Sequence, residues 1–137
     1  MTRGFAILAL CAAPLAAAQS ESAVPAAQSV GGVKYVQGGI GKDESSAMLE
    51  AAKGYPLSLV FSGGKGNHYI AAVDIHVRDA AGKTVLQARS DGPIMLIDLP
   101  AGRYTIDAQY RDKTLTQRVE LTPKRSVRVD LHWPSGE

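Results

Sequence analysis

The sequence predicts an all-β sandwich of about seven or eight strands with one short helix near its N-terminus. Short segments in which apolar and polar residues alternate recur about every ten residues, and Gly, Pro and Asp separate them. Only one stretch changes to a helical period. With 137 residues and 45% hydrophobic content, the chain can form one domain with a substantial core. A single sandwich domain is predicted over residues 33–137.

The N-terminus has the features of an export signal. Thr2 and Arg3 form a short, positively charged start, and an almost wholly apolar run over residues 5–15 follows them. Residues 16–18 supply small side chains for cleavage, so a signal peptide is predicted over 1–18. The apolar run is shorter than the roughly 20 residues that a membrane-spanning helix needs. The mature protein is therefore expected in the periplasm or secreted.

Cys11 is the only cysteine of the chain and lies inside the predicted signal peptide. The sequence before it invites comparison with a lipoprotein box, in which the cysteine is acylated. Leu10 is larger than the residue usually found at that place, which favours ordinary cleavage. The mature domain would then have no disulfide and would depend on its core for stability.

The first elements follow a polar segment. Residues 19–32 are rich in Ser, Ala, Gln and Gly without an apolar period, which predicts a flexible lead. A short first strand is predicted over 33–37. A helix near 43–53 follows, because Asp43 can cap it and Met48 lies on a narrow apolar stripe.

Three strands are predicted next, over residues 56–62, 68–78 and 84–89. The glycine-rich residues 63–67 form a loop between the first two strands. The strand over 68–78 is expected to be the longest of the three, and the strand over 84–89 is expected near a sheet edge.

The segment Asp91–Tyr110 has the clearest strand pattern. It predicts two strands folded over a turn at Pro100–Gly102. The first strand has apolar side chains on both faces, which is typical of a strand inside a sandwich. In the second strand, Tyr104 and Ile106 are expected to fill the core. Two further strands, over 114–121 and 127–133, complete the domain.

These segments resemble a known family. Residues 73–83, the Ser90–Pro93 turn and the Leu-Pro-x-Gly-x-Tyr-x-Ile pattern over 99–106 are similar to the carboxypeptidase-regulatory-like domain. The similarity covers roughly residues 56–133. It implies an Ig-like or prealbumin-like (transthyretin-like) sandwich. Residues 35–44 before a helix are similar to small exported bacterial proteins of that family, whose modules usually have structural, accessory or binding roles.

Asp74 and His76 could contribute to a metal site, because they lie two residues apart on one strand face, about 7 Å between Cα atoms. A third ligand is missing from the pattern, because His68 is about 26 Å away along a continuous strand. Solvated side chains on a strand are the simpler interpretation. No metal or cofactor is therefore predicted.

A phosphate site was considered for Gly38–Lys42, since glycines before a helix let backbone amides approach an anion. The spacing matches neither a Walker motif nor GxGxxG, and Asp43 and Glu44 would repel the phosphate. A strand-to-helix turn is the better interpretation.

Catalysis has little support in the sequence. None of the histidines begins the His-x-x-Glu motif of zinc carboxypeptidases, and no serine lies in a nucleophile elbow. The chain is therefore predicted not to be an enzyme. The alternative that stays open is a small-molecule hydrolase or a metal-dependent enzyme on the same scaffold.

A binding role is the principal hypothesis. Loops on a rigid scaffold usually carry recognition, so the loops at 38–42 and 63–68 are the expected contact surface. Lys65, Tyr69, Asp74 and His76 are the candidate binding residues. The formal net charge is only +2 and no basic run is longer than Lys124-Arg125, so nucleic acid is not an expected partner. The expected partner is an unidentified protein or envelope component.

Overall fold

The structure is a computed structural model that describes residues 24–66 and 68–134. The predicted signal peptide over 1–18, including Cys11, lies outside these residues. Within the described part, a helix α1 (Lys42–Ala51) and a following 3-10 turn (Ala52–Gly54) accompany ten strands. The strands are β1 (Gln28–Val30), β2 (Val33–Gly38), β3 (Leu57–Gly63), β4 (His68–Tyr69), β5 (Asp74–Asp79), β6 (Thr84–Arg89), β7 (Ile94–Asp98), β8 (Gly102–Tyr110), β9 (Lys113–Leu121) and β10 (Val127–Trp133).

The strands form two sheets. Sheet A has six strands in the order β1-β2-β7-β3-β10, with β4 added beside the C-terminal end of β3, and sheet B has four in the order β6-β5-β8-β9. All pairs are antiparallel except β3 and β10, which run parallel from Leu57 beside Val127 to Gly63 beside Trp133. The prediction of an all-β sandwich with one short helix is confirmed, as is the edge position of β6.

The main core lies between the two sheets. Sheet A contributes alternate side chains such as Leu59, Phe61 and Met95, and sheet B contributes Ile75, Val77 and Ile106. These side chains are fully or almost fully buried. Burial of each large apolar side chain contributes about 1.5–3 kcal/mol, so this layer supplies most of the stabilisation of the domain.

A second, smaller core lies on the outer face of sheet A. Met48 of α1 packs there against Val36, Val60, Ile94 and Leu96. Because Met95 and Ile97 point into the main core while Ile94 and Leu96 point toward the helix, β7 is buried on both faces. The predicted interior position of this strand is confirmed, and the helix is the layer that covers its second face.

The prediction that β7 and β8 fold against each other over a turn at Pro100–Gly102 is wrong. The two strands do not pair with each other, since β7 pairs with β2 and β3 in sheet A while β8 pairs with β5 and β9 in sheet B. Leu99–Ala101 therefore carries the chain from one sheet to the other. Pro and Gly terminate strands in either arrangement, so this local pattern does not distinguish a hairpin from a crossing.

The predicted lead over 19–32 also needs correction, because its last residues are ordered as strand β1. Gln28 pairs with Tyr35 and Val30 with Val33. Gly31 and Gly32 both have positive φ, at 58° and 86°, which is the backbone of a two-residue hairpin turn. Residues 19–23 of the lead lie outside the described part of the chain.

The single long strand predicted over 68–78 is two strands. β4 ends at Tyr69 and β5 begins at Asp74, and Ala72 between them has a φ of 61°. Ser90 fixes this break, because its carbonyl accepts a hydrogen bond from the Ala72 amide at 2.9 Å and its hydroxyl accepts one from the Val73 amide at 3.0 Å. β1 and the separate β4 raise the strand number above the predicted seven or eight.

The helix lies close to its predicted position. It begins at Lys42 with Gly41 as its N-cap, so Asp43 lies in the first turn and not at the cap. An acidic side chain in the first turn still interacts favourably with the helix dipole. No helix in residues 24–66 and 68–134 is long and apolar enough to cross a membrane.

Candidate functional site

Two of the predicted contact loops lie at the same end of sheet A. β2 and β3 are both antiparallel to β7, so the C-terminal ends of β2 and β3 lie at the same end of sheet A. The turn over 38–42 follows β2, and the loop over 63–68 follows β3. We call this end of the sandwich, with these two loops and β4, the loop end.

Exposed apolar side chains mark the loop end. Among the described residues, three large hydrophobic side chains are exposed: Val30 at 40%, Ile40 at 67% and Tyr69 at 48%. Ile40 and Tyr69 lie at the loop end, whereas Val30 lies at the opposite end, where it pairs with the first residue of β2. Contiguous exposed apolar surface is typical of interaction sites, and Ile40 and Tyr69 share one end of sheet A.

A row of polar side chains crosses three strands at this end. Ser62 of β3 is paired with Tyr69 of β4 on one side and with His132 of β10 on the other, so the three residues share the outer face of sheet A. The Ser62 hydroxyl and Nδ1 of His132 are 3.0 Å apart and hydrogen-bonded. Lys65 is exposed in the turn that joins β3 to β4. We call Ser62, Tyr69 and His132 the polar row.

The polar row contains a hydrogen-bonded serine and histidine. A serine becomes a nucleophile when a histidine takes its proton and a third group orients the ring. Among the described residues, no hydrogen bond reaches the other ring nitrogen of His132. The row does present a hydroxyl, an imidazole and a phenol side by side, and these groups can donate and accept hydrogen bonds with a ligand.

Gly64 and Ile70, on the two sides of β4 and the turn before it, are hydrogen-bonded to neighbouring strands. The amide of Gly64 donates to the carbonyl of Trp133 at 3.0 Å, and the amide of Ile70 donates to the carbonyl of Phe61 at 3.2 Å. These bonds anchor both ends of the loop that carries Lys65. A surface that is ordered before binding loses less conformational entropy when a partner binds.

Asp74 and His76 are on the other sheet and do not join Lys65 and Tyr69. They lie on the outer face of sheet B beside a shallow groove of about 390 Å3. Asp74 is 3.5 Å from the guanidinium of Arg89, and Nε2 of His76 is 2.6 Å from the Thr84 hydroxyl. The four predicted binding residues therefore form two separate groups.

Side chains around His76 are engaged in hydrogen bonds and ion pairs within the sheet. In the part of the chain that the structure describes, no three His, Cys, Asp or Glu side chains are grouped as metal ligands. Asp107 is the carboxylate opposite His76 in the sheet, but it accepts hydrogen bonds from Arg78 at 2.7 Å and Thr116 at 2.8 Å. These partners occupy its two oxygens.

The glycine-rich turn is occupied by a carboxylate of the protein. Oε2 of Glu44, in the first turn of α1, accepts a hydrogen bond from the Gly39 amide at 2.7 Å. In a phosphate cradle this amide would point at the anion, so Glu44 takes the place of the ligand. The geometry supports the interpretation of 38–42 as a strand-to-helix turn.

Sequence reasoning proposed Tyr69 and Lys65 as binding candidates but did not include Ser62 and His132. These two residues are 70 positions apart, and they meet because β3 and β10 pair in parallel. Their outward positions on alternating strands were visible in the sequence. Their pairing was not, since it depends on which strands are neighbours.

Fold and surface together define an all-β sandwich with an exposed apolar and polar surface at one end. The chain matches no protein-family model, and no curated protein matches it.

Proposed function

We propose that this protein is an exported, non-enzymatic module of the carboxypeptidase-regulatory-like type that binds a protein or another component of the cell envelope. The observation that carries the proposal is the position of two exposed apolar side chains, Ile40 and Tyr69, at the same end of sheet A. The export signal in the sequence supports the location, and the Leu-Pro-x-Gly-x-Tyr-x-Ile pattern over 99–106 supports the family.

The loop end has the composition of a small protein-binding surface. Apolar side chains that lose water on binding usually lie at the centre of such a surface, and polar groups surround them. Here Ile40 and Tyr69 are the apolar groups, while Lys65, Ser62 and His132 supply hydrogen-bonding and charged groups near Tyr69. Tyrosine is also among the residues most often found to dominate binding energy at interfaces.

The experiment compares two exposed surfaces of one protein. The double variant Ile40→Ser/Tyr69→Ser removes both apolar side chains of the loop end, and Val30→Ser removes the exposed apolar side chain at the opposite end. A photo-crosslinking amino acid at position 69, with a matched one at position 30, identifies what contacts each end in envelope extract. Thermal unfolding of every variant measures whether the fold is intact.

The proposal expects a crosslinked partner from position 69 and none from position 30. It also expects capture of that partner to be lost in the double variant, retained in Val30→Ser, and accompanied by little change in melting temperature. If the double variant keeps its fold and captures the same partner as the wild type, the loop end is not the binding surface.

A hydrolase is the second candidate, because Ser62 and His132 are hydrogen-bonded at 3.0 Å on an accessible face. A serine activated by histidine reacts with fluorophosphonate probes. This candidate expects labelling of the wild type that is lost in Ser62→Ala and in His132→Ala. Absence of labelling in a folded wild-type protein would leave the binding module as the function that the geometry supports.

A further inference from the structure

The end of the sandwich opposite the loop end contains a groove of about 350 Å3. Its walls come from the segment between α1 and β3, the crossing between β7 and β8, and the loop between β9 and β10. This volume lies within the range of small-molecule sites, at their lower limit. The lining residues are Lys53, Gly54, Tyr55, Pro56, Leu99, Ala101, Leu121, Thr122, Pro123, Lys124, Arg125 and Ser126.

The charged side chains that line the groove are all basic. Lys53, Lys124 and Arg125 line it, and no Asp or Glu is among its lining residues. Lys53 forms an exposed ion pair with Glu50 at 3.1 Å, whereas neither Lys124 nor Arg125 has an ion pair with any described residue. Cations that line a concave surface without counter-charges attract anions more strongly than isolated surface cations do.

The backbone at Lys124 gives an independent indication. Lys124 has a φ of 65°, and the Arg125 amide donates to the Thr122 carbonyl at 3.4 Å across the turn. A turn with proline at its second position and a positive φ at its third usually carries glycine or asparagine there. A lysine in this conformation carries backbone strain, as Ala72 and Arg111 also do, and strain of this kind is compatible with a functional position.

The groove is also rigid. The Ser126 hydroxyl donates to the Lys53 carbonyl at 3.0 Å, and the Val127 amide donates to the Pro56 carbonyl at 2.9 Å. These bonds join the loop that carries Lys124 and Arg125 to the segment that carries Lys53 and Tyr55. The backbone segments that carry the cations and Tyr55 are thus joined along one groove.

We propose that this groove binds the phosphate group of a phosphomonoester, with Arg125 and Lys124 as its principal ligands. A guanidinium can donate two parallel hydrogen bonds to phosphate oxygens, and an ammonium adds a compact positive charge. The phosphate can belong to a soluble sugar phosphate or to a lipid headgroup, since both present the same group. The site is separate from the loop end, so a test of phosphate binding here is independent of the proposed function.

The test is a titration of the purified protein with inorganic phosphate, followed by backbone amide NMR, with sodium chloride at matched ionic strength as the reference. Two variants remove the charges of the groove: Arg125→Gln, and Lys124→Asn, which also suits the positive φ. Lys113→Gln is the charge-matched control, because Lys113 lies at the start of β9, at the other end of the sandwich. Glucose 6-phosphate and phosphatidylcholine vesicles with and without phosphatidic acid separate the two sources of phosphate.

The proposal expects saturable shifts of the amides of Thr122, Lys124, Arg125 and Ser126 with phosphate but not with chloride. Arg125→Gln is expected to weaken binding about tenfold or more, whereas Lys113→Gln changes it less than about twofold. Binding of glucose 6-phosphate supports a soluble ligand, and binding only to vesicles with phosphatidic acid supports a lipid headgroup. Equal weakening by Arg125→Gln and Lys113→Gln overturns the site, as does the absence of saturable shifts.

Discussion

The hydroxyl of Tyr104 donates a hydrogen bond of 2.7 Å to the carbonyl of Pro100. Tyr104 is 7% exposed and its ring lies in the main core, so the bond ties the crossing between the sheets to the start of β8. The arrangement is like the tyrosine corner of immunoglobulin-type sandwiches, in which a tyrosine hydroxyl bonds to the backbone a few residues upstream. It explains why a tyrosine follows Leu-Pro-Ala-Gly-Arg in this chain.

Replacing Tyr104 by Phe is expected to lower the free energy of unfolding by about 1 kcal/mol, since the ring still fills the core but the bond to Pro100 is lost. Urea denaturation measures this change. Tyr110→Phe is the matched control, because its hydroxyl has no hydrogen-bond partner in the part of the chain described. Equal effects of the two substitutions would show that the Pro100 bond contributes nothing specific.

The same tyrosine predicts a dependence of stability on alkaline pH. Burial, with a smaller contribution from the charge of Asp79, raises the pKa of Tyr104 above its ordinary value of about 10. The unfolded chain therefore loses this proton at a lower pH than the folded protein. The stabilisation is fully present below about pH 10 and is lost as the pH rises through the pKa of the folded state. The free energy of unfolding, measured by urea denaturation at several alkaline pH values, should fall less steeply with pH for Tyr104→Phe than for the wild type.

Local patterns predicted the class of fold and the burial of individual strands. Four successive apolar residues of β7 indicated a strand buried on both faces, and the structure places helix α1 over one of them. The partners of β7 could not be read from the same residues, because Pro100 and Gly102 are compatible with a hairpin or with a crossing. The break at Ala72 has no sequence signature, since alanine seldom adopts a positive φ.

The candidate site was predictable to the extent that it depends on loops. Lys65 lies in the glycine-rich loop and Tyr69 near its end, which made them candidates, and Ile40 lies in the other predicted loop. His132 was considered only as an isolated histidine. Its contact with Ser62 depends on the parallel pairing of β3 and β10, which joins residues far apart in the chain.

Ser90 is expected to be important for the break between β4 and β5. Ser90→Ala leaves the buried Val73 amide without its partner, which should lower the free energy of unfolding by about 1–3 kcal/mol. Chemical denaturation measures the loss, and faster hydrogen exchange at the Val73 amide would locate it. Ser46→Ala, on the exposed side of α1, should change stability by less than about 0.5 kcal/mol. A loss no larger than that of Ser46→Ala would refute the role given to Ser90.

Glu44 is expected to stabilise the turn before α1 through its charge-assisted bond to the Gly39 amide. Glu44→Ala should cost about 1–2 kcal/mol. Glu50→Ala removes a carboxylate of the same helix whose only ion pair among the described residues is exposed, so its cost should be below about 0.5 kcal/mol. Thermal unfolding compares the two variants, and a similar loss in both would mean that the Gly39 bond is no stronger than a surface ion pair.

The approach of Gly92 to Gly38 gives the sharpest steric prediction. A Cβ atom at Gly92 would lie 2.3 Å from the carbonyl oxygen of Gly38, which is backbone and cannot rotate away. Gly92→Ala should therefore separate the start of β7 from the end of β2 and cost about 1–3 kcal/mol or more. At Gly54, by contrast, a Cβ atom meets nothing within 4 Å and no positive φ is required, so Gly54→Ala should be neutral or stabilise by up to about 1 kcal/mol. Melting temperatures of the two variants measured together check the prediction. A Gly92→Ala variant as stable as Gly54→Ala would show that β2 and β7 do not approach each other this closely.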